Sequence, residues 1–141
     1  MSINIEILSG LGAKGPAAIV VEAQGKRLLL DAGGELHPDD TITWANNLAV
    51  DAVLISHDHI DHIGGVAELA ESVPLYCTPL VAKALPHNRA WRPLPERGTL
   101  EVEGITVTTG QAGHSLGGVW LHLAVEGGVY YSGDACFESS V

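Results

Sequence analysis

Apolar positions along the chain fall in short runs broken by glycine, proline and small polar residues. That pattern predicts many strands and few helices. Ile3 to Leu8 reads as a strand, and Gly10 to Pro16 as a glycine-rich connection. Ala17 to Val21 and Arg27 to Leu30 form the arms of a hairpin turning near Gln24-Gly25, closed by Asp31-Ala32-Gly33-Gly34. Asp39 or Asp40 is placed to cap a helix running to about Leu48. Ala52 to Ile55 is apolar at every position, as in a strand covered on both faces. Val66 to Ala70 and Leu80 to Leu85 read as short helices, with a strand from Val73 to Cys77 between them. Pro86 to Pro95 reads as a loop carrying His87 and Trp91. Two more hairpins follow. Leu100 to Val102 pairs with Ile105 to Thr109 around Glu103-Gly104, and Val119 to Val125 pairs with Val129 to Ser132 around Gly127-Gly128. No repeat or linker interrupts the pattern, which predicts one α/β domain, of the α+β kind, with mixed sheets.

Composition narrows the function classes. The 141 residues suit a single domain, and 46% are apolar, enough for a real core. The net charge is −10 with only 7 Lys and Arg, so the basic footprint of a phosphate-backbone binder is missing. Nucleic acid is therefore a disfavoured partner. No window approaches the roughly 18 apolar residues of a membrane span, and MSINIEILSG lacks the basic start of a signal peptide. Cys77 and Cys136 form no C-x-x-C pair and read as free thiols of a reduced, cytoplasmic compartment.

The chemistry is concentrated in Ser56-His57-Asp58-His59-Ile60-Asp61-His62-Ile63-Gly64-Gly65. This run follows the buried-type strand at once. Residues two apart in extended chain point the same way, so His57 and His59 can share one cation. The chain then turns into a helix whose first turn presents Asp61 and His62. Imidazole and carboxylate together suit a borderline cation such as zinc. Four ligands within six residues exceed what one ion takes in this geometry, which points to a two-metal site. Asp58 occupies a variable position and reads as a solvated group. His37 and His87 read as loop histidines near the cleft rim, His122 as a strand residue, and Trp91 and Trp120 as packing groups.

The H-x-H-x-D-H run resembles the signature of the metallo-β-lactamase superfamily, and three further residues match that resemblance. Asp31, closing Leu28-Leu29-Leu30, is similar to the family's early Asp, which supports the metal-binding loop from outside the coordination shell. His114 in Gly113-His114-Ser115-Leu116-Gly117 matches the next histidine ligand. Asp134 in Tyr131-Ser132-Gly133-Asp134 matches the bridging carboxylate. The resemblance implies His57, His59 and His114 on one metal, and Asp61, His62 and Asp134 on a second. It implies two zinc ions, with iron or manganese as alternatives. It also implies a shared hydroxide as nucleophile, with Asp134 bridging and Asp61 orienting. The implied fold is an αββα sandwich, of which this chain holds the first half and the start of the second.

One ligand is missing from the pattern. The family supplies a further histidine well beyond the bridging Asp, whereas this chain ends at Val141. Residues 1–141 are therefore expected to be a single domain incomplete at its C-terminus, weak as a catalyst alone, and prone to pair as a homodimer that covers exposed sheet. The expected reaction is metal-dependent hydrolysis of a small-molecule or phosphodiester substrate. The Gly113–Gly117 and Tyr130–Asp134 segments look like the RNA-processing β-CASP branch, which puts a phosphodiester ahead of an ester or thioester. An iron-dependent redox enzyme and a non-catalytic metal-binding remnant are the rival readings. Gly113-His114-Ser115-Leu116-Gly117 also fits the G-x-S-x-G elbow of serine hydrolases. That elbow needs a helix after Ser115 and a histidine after the acid, and neither is present in the pattern.

Overall fold

The computed structural model describes residues 2–136. Residue 1 and residues 137–141 lie outside the described residues. Among the described residues, ten strands form two sheets. The first runs β1 (Asn4–Ser9), β2 (Ala18–Ala23), β3 (Lys26–Leu30), β4 (Ala52–Leu54), β5 (Leu75–Cys77), β6 (Arg92–Pro93). β1 to β3 are antiparallel, and β3 to β6 are parallel. The second sheet, in the order β10-β9-β8-β7, is antiparallel throughout: β7 (Gly98–Val102), β8 (Ile105–Gln111), β9 (Val119–Leu123), β10 (Val129–Tyr131). The predicted mixed α/β class is what the structure has. Among the described residues, no helix is long and apolar enough to cross a membrane.

Two hairpins turn where the sequence predicts. Gln24 and Gly25 both take positive φ (56° and 75°), as do Glu103 and Gly104 (51° and 78°). That is the two-residue turn whose twist matches its flanking strands. β4 is buried on both faces, and so is the apolar end of β3. Their inner residues Leu28, Leu30, Ala52 and Leu54 pack against Val107, Leu121 and Leu123 of the second sheet. Their outer residues Leu29, Val53 and Ile55 pack under Trp44, Ile63, Val66 and Val81.

The helical layer is thinner than the sequence predicts. No helix follows Asp40. Its carboxylate instead accepts the N–H groups of Leu36 and His37, each at 2.8 Å, and so caps the turn before it. The segment beyond, Thr41-Ile42-Thr43, is β-branched throughout and poor at starting a helix. It serves to deliver Trp44, whose indole donates to Gly33 O at 2.9 Å. Val66–Glu68 makes a single 3₁₀ turn where a helix to Ala70 is predicted. Helix α2 covers only Pro79–Ala82, with Thr78 as N-cap and Pro79 in the first turn. The predicted Pro86–Pro95 loop contains the two-residue strand β6, at the sheet edge where proline is tolerated.

The parallel strands share one direction, so the loops after β3, β4 and β5 open on the same rim. Asp31, the Ser56–His59 run and Thr78 lie there. Helix α1 (Ile60–Ile63) continues from the β4 loop. It is stitched to the segment after β3 by Ala32 N–H to His62 O at 2.9 Å and Gly34 N–H to Ile60 O at 2.8 Å. This stitching requires glycine. A Cβ on Gly34 would lie 2.6 Å from the backbone of Gly64, and one on Gly65 would lie 2.4 Å from Gly33 O.

Candidate metal centre

Four chain segments bring the predicted site residues together on that rim. The β4 loop and α1 supply His57, His59, Asp61 and His62. The β8–β9 loop supplies His114, the segment after β10 supplies Asp134, and the end of β3 supplies Asp31. His57, His59, His114 and Asp134 each offer one ligand atom, and these atoms lie within 4.8 Å of one another. His59 Nδ1 and His114 Nε2 stand 3.1 Å apart. Asp134 Oδ2 lies 3.4 Å from His57 Nε2 and 3.5 Å from His114 Nε2. Its other oxygen, Oδ1, lies 3.5 Å from His62 Nε2, which is 3.7 Å from Asp61 Oδ2. One carboxylate thus faces three imidazoles, His57 and His114 with Oδ2 and His62 with Oδ1.

The hydrogen bonds behind these rings fix which nitrogen each presents. Ser56 Oγ has a single proton, and it points to Asp31 Oδ2 at 2.7 Å. The hydroxyl must therefore accept from its other neighbour, His57 Nδ1, at 2.9 Å. That places the ring proton on Nδ1 and leaves a lone pair on Nε2. His62 is set in the same way. Its Nδ1–H donates to Asp31 Oδ2 at 2.5 Å, so Nε2 carries the lone pair toward Asp61 and Asp134. Asp31 also accepts the Ser56 N–H on Oδ1 at 2.7 Å and the Tyr131 hydroxyl on Oδ2 at 2.6 Å. Its carboxylate is fully buried, and with His57 and His62 it forms a second group of ligand atoms within 4.8 Å of one another.

Charge follows from these surroundings. Burial, then the neighbouring His62, pushes His57 down to about 4, so its imidazole is neutral near pH 7. Burial also pulls His62 down. The hydrogen bond and charge of Asp31, with Asp134 and Asp61 behind it, outweigh that pull, and the net shift is upward. Burial and then Asp31 push the Tyr131 phenol upward, which keeps it a donor.

The residues present fit a cation. His57 Nε2 is buried without a hydrogen-bond partner and faces a carboxylate oxygen, an arrangement that native proteins rarely leave uncompensated. Nitrogen and carboxylate oxygen are the donor set of zinc and its first-row neighbours.

Other predicted residues stay outside the cluster. Asp58 is half-buried, and His37 and His87 are exposed on loops. His122 lies in β9 on the outer face of the second sheet. Trp120 lies flat over Gly110, where a Cβ would come within 2.2 Å of its ring, and its centroid is 5.7 Å from that of Tyr130. Both are packing groups. Ser115 sits in the β8–β9 loop and is followed by strand β9, so the helix a nucleophile elbow requires is not there. Cys77 is buried, its thiol pushed up to about 12, and Cys136 is exposed and unpaired.

Sequence reasoning missed the partners of Asp31. Ser56 stands inside the motif without a role assigned, and nothing in the one-letter pattern marks Tyr131. It also missed Lys14. A pocket of 230 Å³ beside the cluster is lined by Asp61, His62 and Asp134 on one side and by Gly10, Ala13, Lys14, Gly15 and Ala17 on the other. A larger pocket of 370 Å³ lies away from the histidines, lined by Asn4, Glu22, Arg27 and Asp51. Arg27 there is held by Glu22 at 2.7 Å and is not free for a ligand.

Residues 26–140 match the family model described as the Beta-lactamase superfamily domain. The chain belongs to the metallo-β-lactamase superfamily. A hydroxyacylglutathione hydrolase of Vibrio parahaemolyticus is 32% identical over 122 residues, covering 85% of this chain and 46% of that protein. An RNase J-like protein of Methanocaldococcus jannaschii is 30% identical over 143 residues, covering 85% of this chain and 33% of that one. The metallo-β-lactamase fold protein YhfI of Bacillus subtilis superposes with a TM-score of 0.72 at 16% identity, covering 93% of this chain and 61% of that one. This chain spans half or less of the curated relatives it matches. The superfamily fold is as the sequence predicts, and the match to an RNase J-like protein fits the likeness of its motifs to the β-CASP branch.

Proposed function

We propose that this chain carries the metal centre of a metal-dependent hydrolase, holding two divalent cations, zinc for preference. The observation that supports this most is Asp134 standing between His62 and the His57–His114 pair, with Oδ1 toward the first and Oδ2 toward the second. His57 Nε2, His59 Nδ1, His114 Nε2 and Asp134 would hold one cation. His62 Nε2, Asp61 and Asp134 would hold the other. Bound there, such ions lower the pKa of water from 15.7 to about 7 and polarise a carbonyl or phosphoryl oxygen. The protein's part is to hold both histidines in the tautomer that presents Nε2, through Ser56 and Asp31, and to orient the attacking water through Asp61. The relatives' longer chains leave room for a further ligand supplied from beyond residue 136.

The substrate we put first is an anionic phosphodiester. The match to an RNase J-like protein supports it, as does Lys14, the one cation lining the pocket beside Asp61 and His62. A second reading, a thioester, is supported by the match to a hydroxyacylglutathione hydrolase. The test is turnover of bis-p-nitrophenyl phosphate against a hydroxyacylglutathione thioester, with and without chelator, in wild type and Ser115→Ala. The phosphodiester is expected to turn over faster, chelation to stop it, and Ser115→Ala to keep most of the rate. Activity that survives chelation but is lost in Ser115→Ala would reverse the assignment to a metallo-hydrolase.

The same reading includes assembly. The sequence predicts that β4 and β9 need cover, and the structure already buries both between the sheets. The second sheet's outer face carries Thr106, Thr108 and His122 and tolerates water. Exposed apolar side chains include two on β1. Ile5 and Ile7 pair with Val21 and Ile19 and so share their inward face, yet they are 51% and 49% exposed. Among the described residues the second sheet has four strands against six, with β10 at one edge. We expect the isolated chain to self-associate over this region, most simply as a two-fold dimer. Size-exclusion chromatography with light scattering checks it, and a monomer at micromolar concentration would count against it.

A further inference from the structure

We propose that Tyr131 is a positioning residue: its hydroxyl is the brace by which the second sheet fixes Asp31, and through Asp31 the orientation and tautomer of His62. Asp31 accepts from the Ser56 N–H, Ser56 Oγ, His62 Nδ1 and Tyr131 Oη. The first three donors all belong to the β4 loop and the helix that continues it. Among the described residues, Tyr131 is the one donor that reaches Asp31 from the second sheet, one hundred positions along the chain.

Its place in the chain gives the bond a second consequence. Tyr131 ends β10, and Asp134 follows three residues later. Gly133 lies between them with φ +54°, packed so closely on Ser56 that a Cβ would meet its Oγ at 2.7 Å. The Tyr131 bond and the Gly133 contact pin the start of this segment to the Asp31–Ser56 pair. Asp134 then comes within 3.4 Å of His57 and 3.5 Å of His62. One hydroxyl thus ties the carboxylate that faces both histidines to the residue that sets their tautomers.

A purely structural tyrosine would add stability and nothing else. A brace adds order to His62. The experiment is nitrogen-15 NMR of His62 in chelator-treated protein, comparing wild type, Tyr131→Phe and Tyr130→Phe, followed by stepwise zinc titration of each. In wild type, at a pH alkaline enough to leave the ring neutral, His62 is expected to keep its proton on Nδ1, with slow exchange of that proton. In Tyr131→Phe that proton should exchange about tenfold faster, the scale of one lost hydrogen bond. Binding of the second zinc equivalent should weaken about 10- to 100-fold, as when a support of a metal ligand is removed. Tyr130→Phe, on the exposed neighbour, should change neither. The brace is refuted if Tyr131→Phe melts earlier yet keeps the wild-type His62 spectrum. It is refuted as well if the neutral wild-type His62 ring carries its one proton on Nε2, a result that needs no variant to fold. The zinc arm rests on the metal-centre reading. The NMR arm does not, so a chain that binds no zinc but keeps the His62 signature would overturn that reading and leave the brace standing.

Discussion

Replacing His57 and His59 together with alanine is expected to abolish zinc binding at the histidine-rich position and to reduce hydrolysis to the chelated background. His57 Nε2 is buried and unpartnered, and His59 Nδ1 stands 3.1 Å from His114 Nε2. Removing both leaves His114 and Asp134, two donors where a stable tetrahedral site uses three or four. Hydrolysis falls with it, because unassisted water is nearly nine pKa units weaker as an acid than water on such a cation. The variant also separates metal binding from folding. Zinc at 100 times its dissociation constant stabilises a native state by about 2.7 kcal/mol. Wild type should therefore melt several degrees higher with zinc than without it. The double variant should show a smaller zinc-dependent rise, no more than the His62, Asp61 and Asp134 position can supply. A rise as large as that of wild type would mean the first cation does not sit on His57 and His59.

The parts of the fold legible in the sequence are those set by neighbours in the chain. The hairpins at Gln24-Gly25 and Glu103-Gly104 follow from residues that tolerate positive φ, and β4 follows from an unbroken apolar run. The convergence of the histidines and aspartates was legible in outline for a similar reason. Residues of the H-x-H-x-D-H run need only a strand end and a helical turn to converge, and both are local. The helical layer was misread because its segments answer to tertiary contacts. Asp40 prefers two backbone N–H groups behind it to a helix ahead, and the Thr41–Leu48 stretch is shaped by seating Trp44 under the first sheet. Tyr131 was invisible because its partner is one hundred residues away, and no periodicity carries that information.

Asp31→Asn is expected to be the most damaging single change that alters almost no volume. Asp31 adopts φ 64°, a left-handed conformation that asparagine tolerates as well as aspartate, so the backbone gives no reason for loss. The loss comes from the hydrogen bonds. The carboxylate accepts four donors from Ser56, His62 and Tyr131, at 2.5 to 2.7 Å. An amide can accept on one side only, and its NH₂ must face at least one of those donors. Donor meets donor in a site closed to water, and at least one buried N–H or O–H is left without an acceptor. Each such group costs about 1–3 kcal/mol, and bonds to a charged acceptor are the costly ones to lose. We expect about 3 kcal/mol of destabilisation in denaturant unfolding of the metal-free protein. We also expect a second, separable effect. With its Nδ1 partner gone, His62 is free to move its proton to Nε2, the nitrogen that faces Asp61 and Asp134. The second zinc equivalent should then bind about 10- to 100-fold more weakly while the first is changed less. Ser56→Ala removes one donor but leaves the carboxylate, and its effect should be the smaller of the two. An Asp31→Asn protein as stable as wild type, with two zinc ions bound at unchanged affinity, would show that Asp31 merely fills space beneath the site.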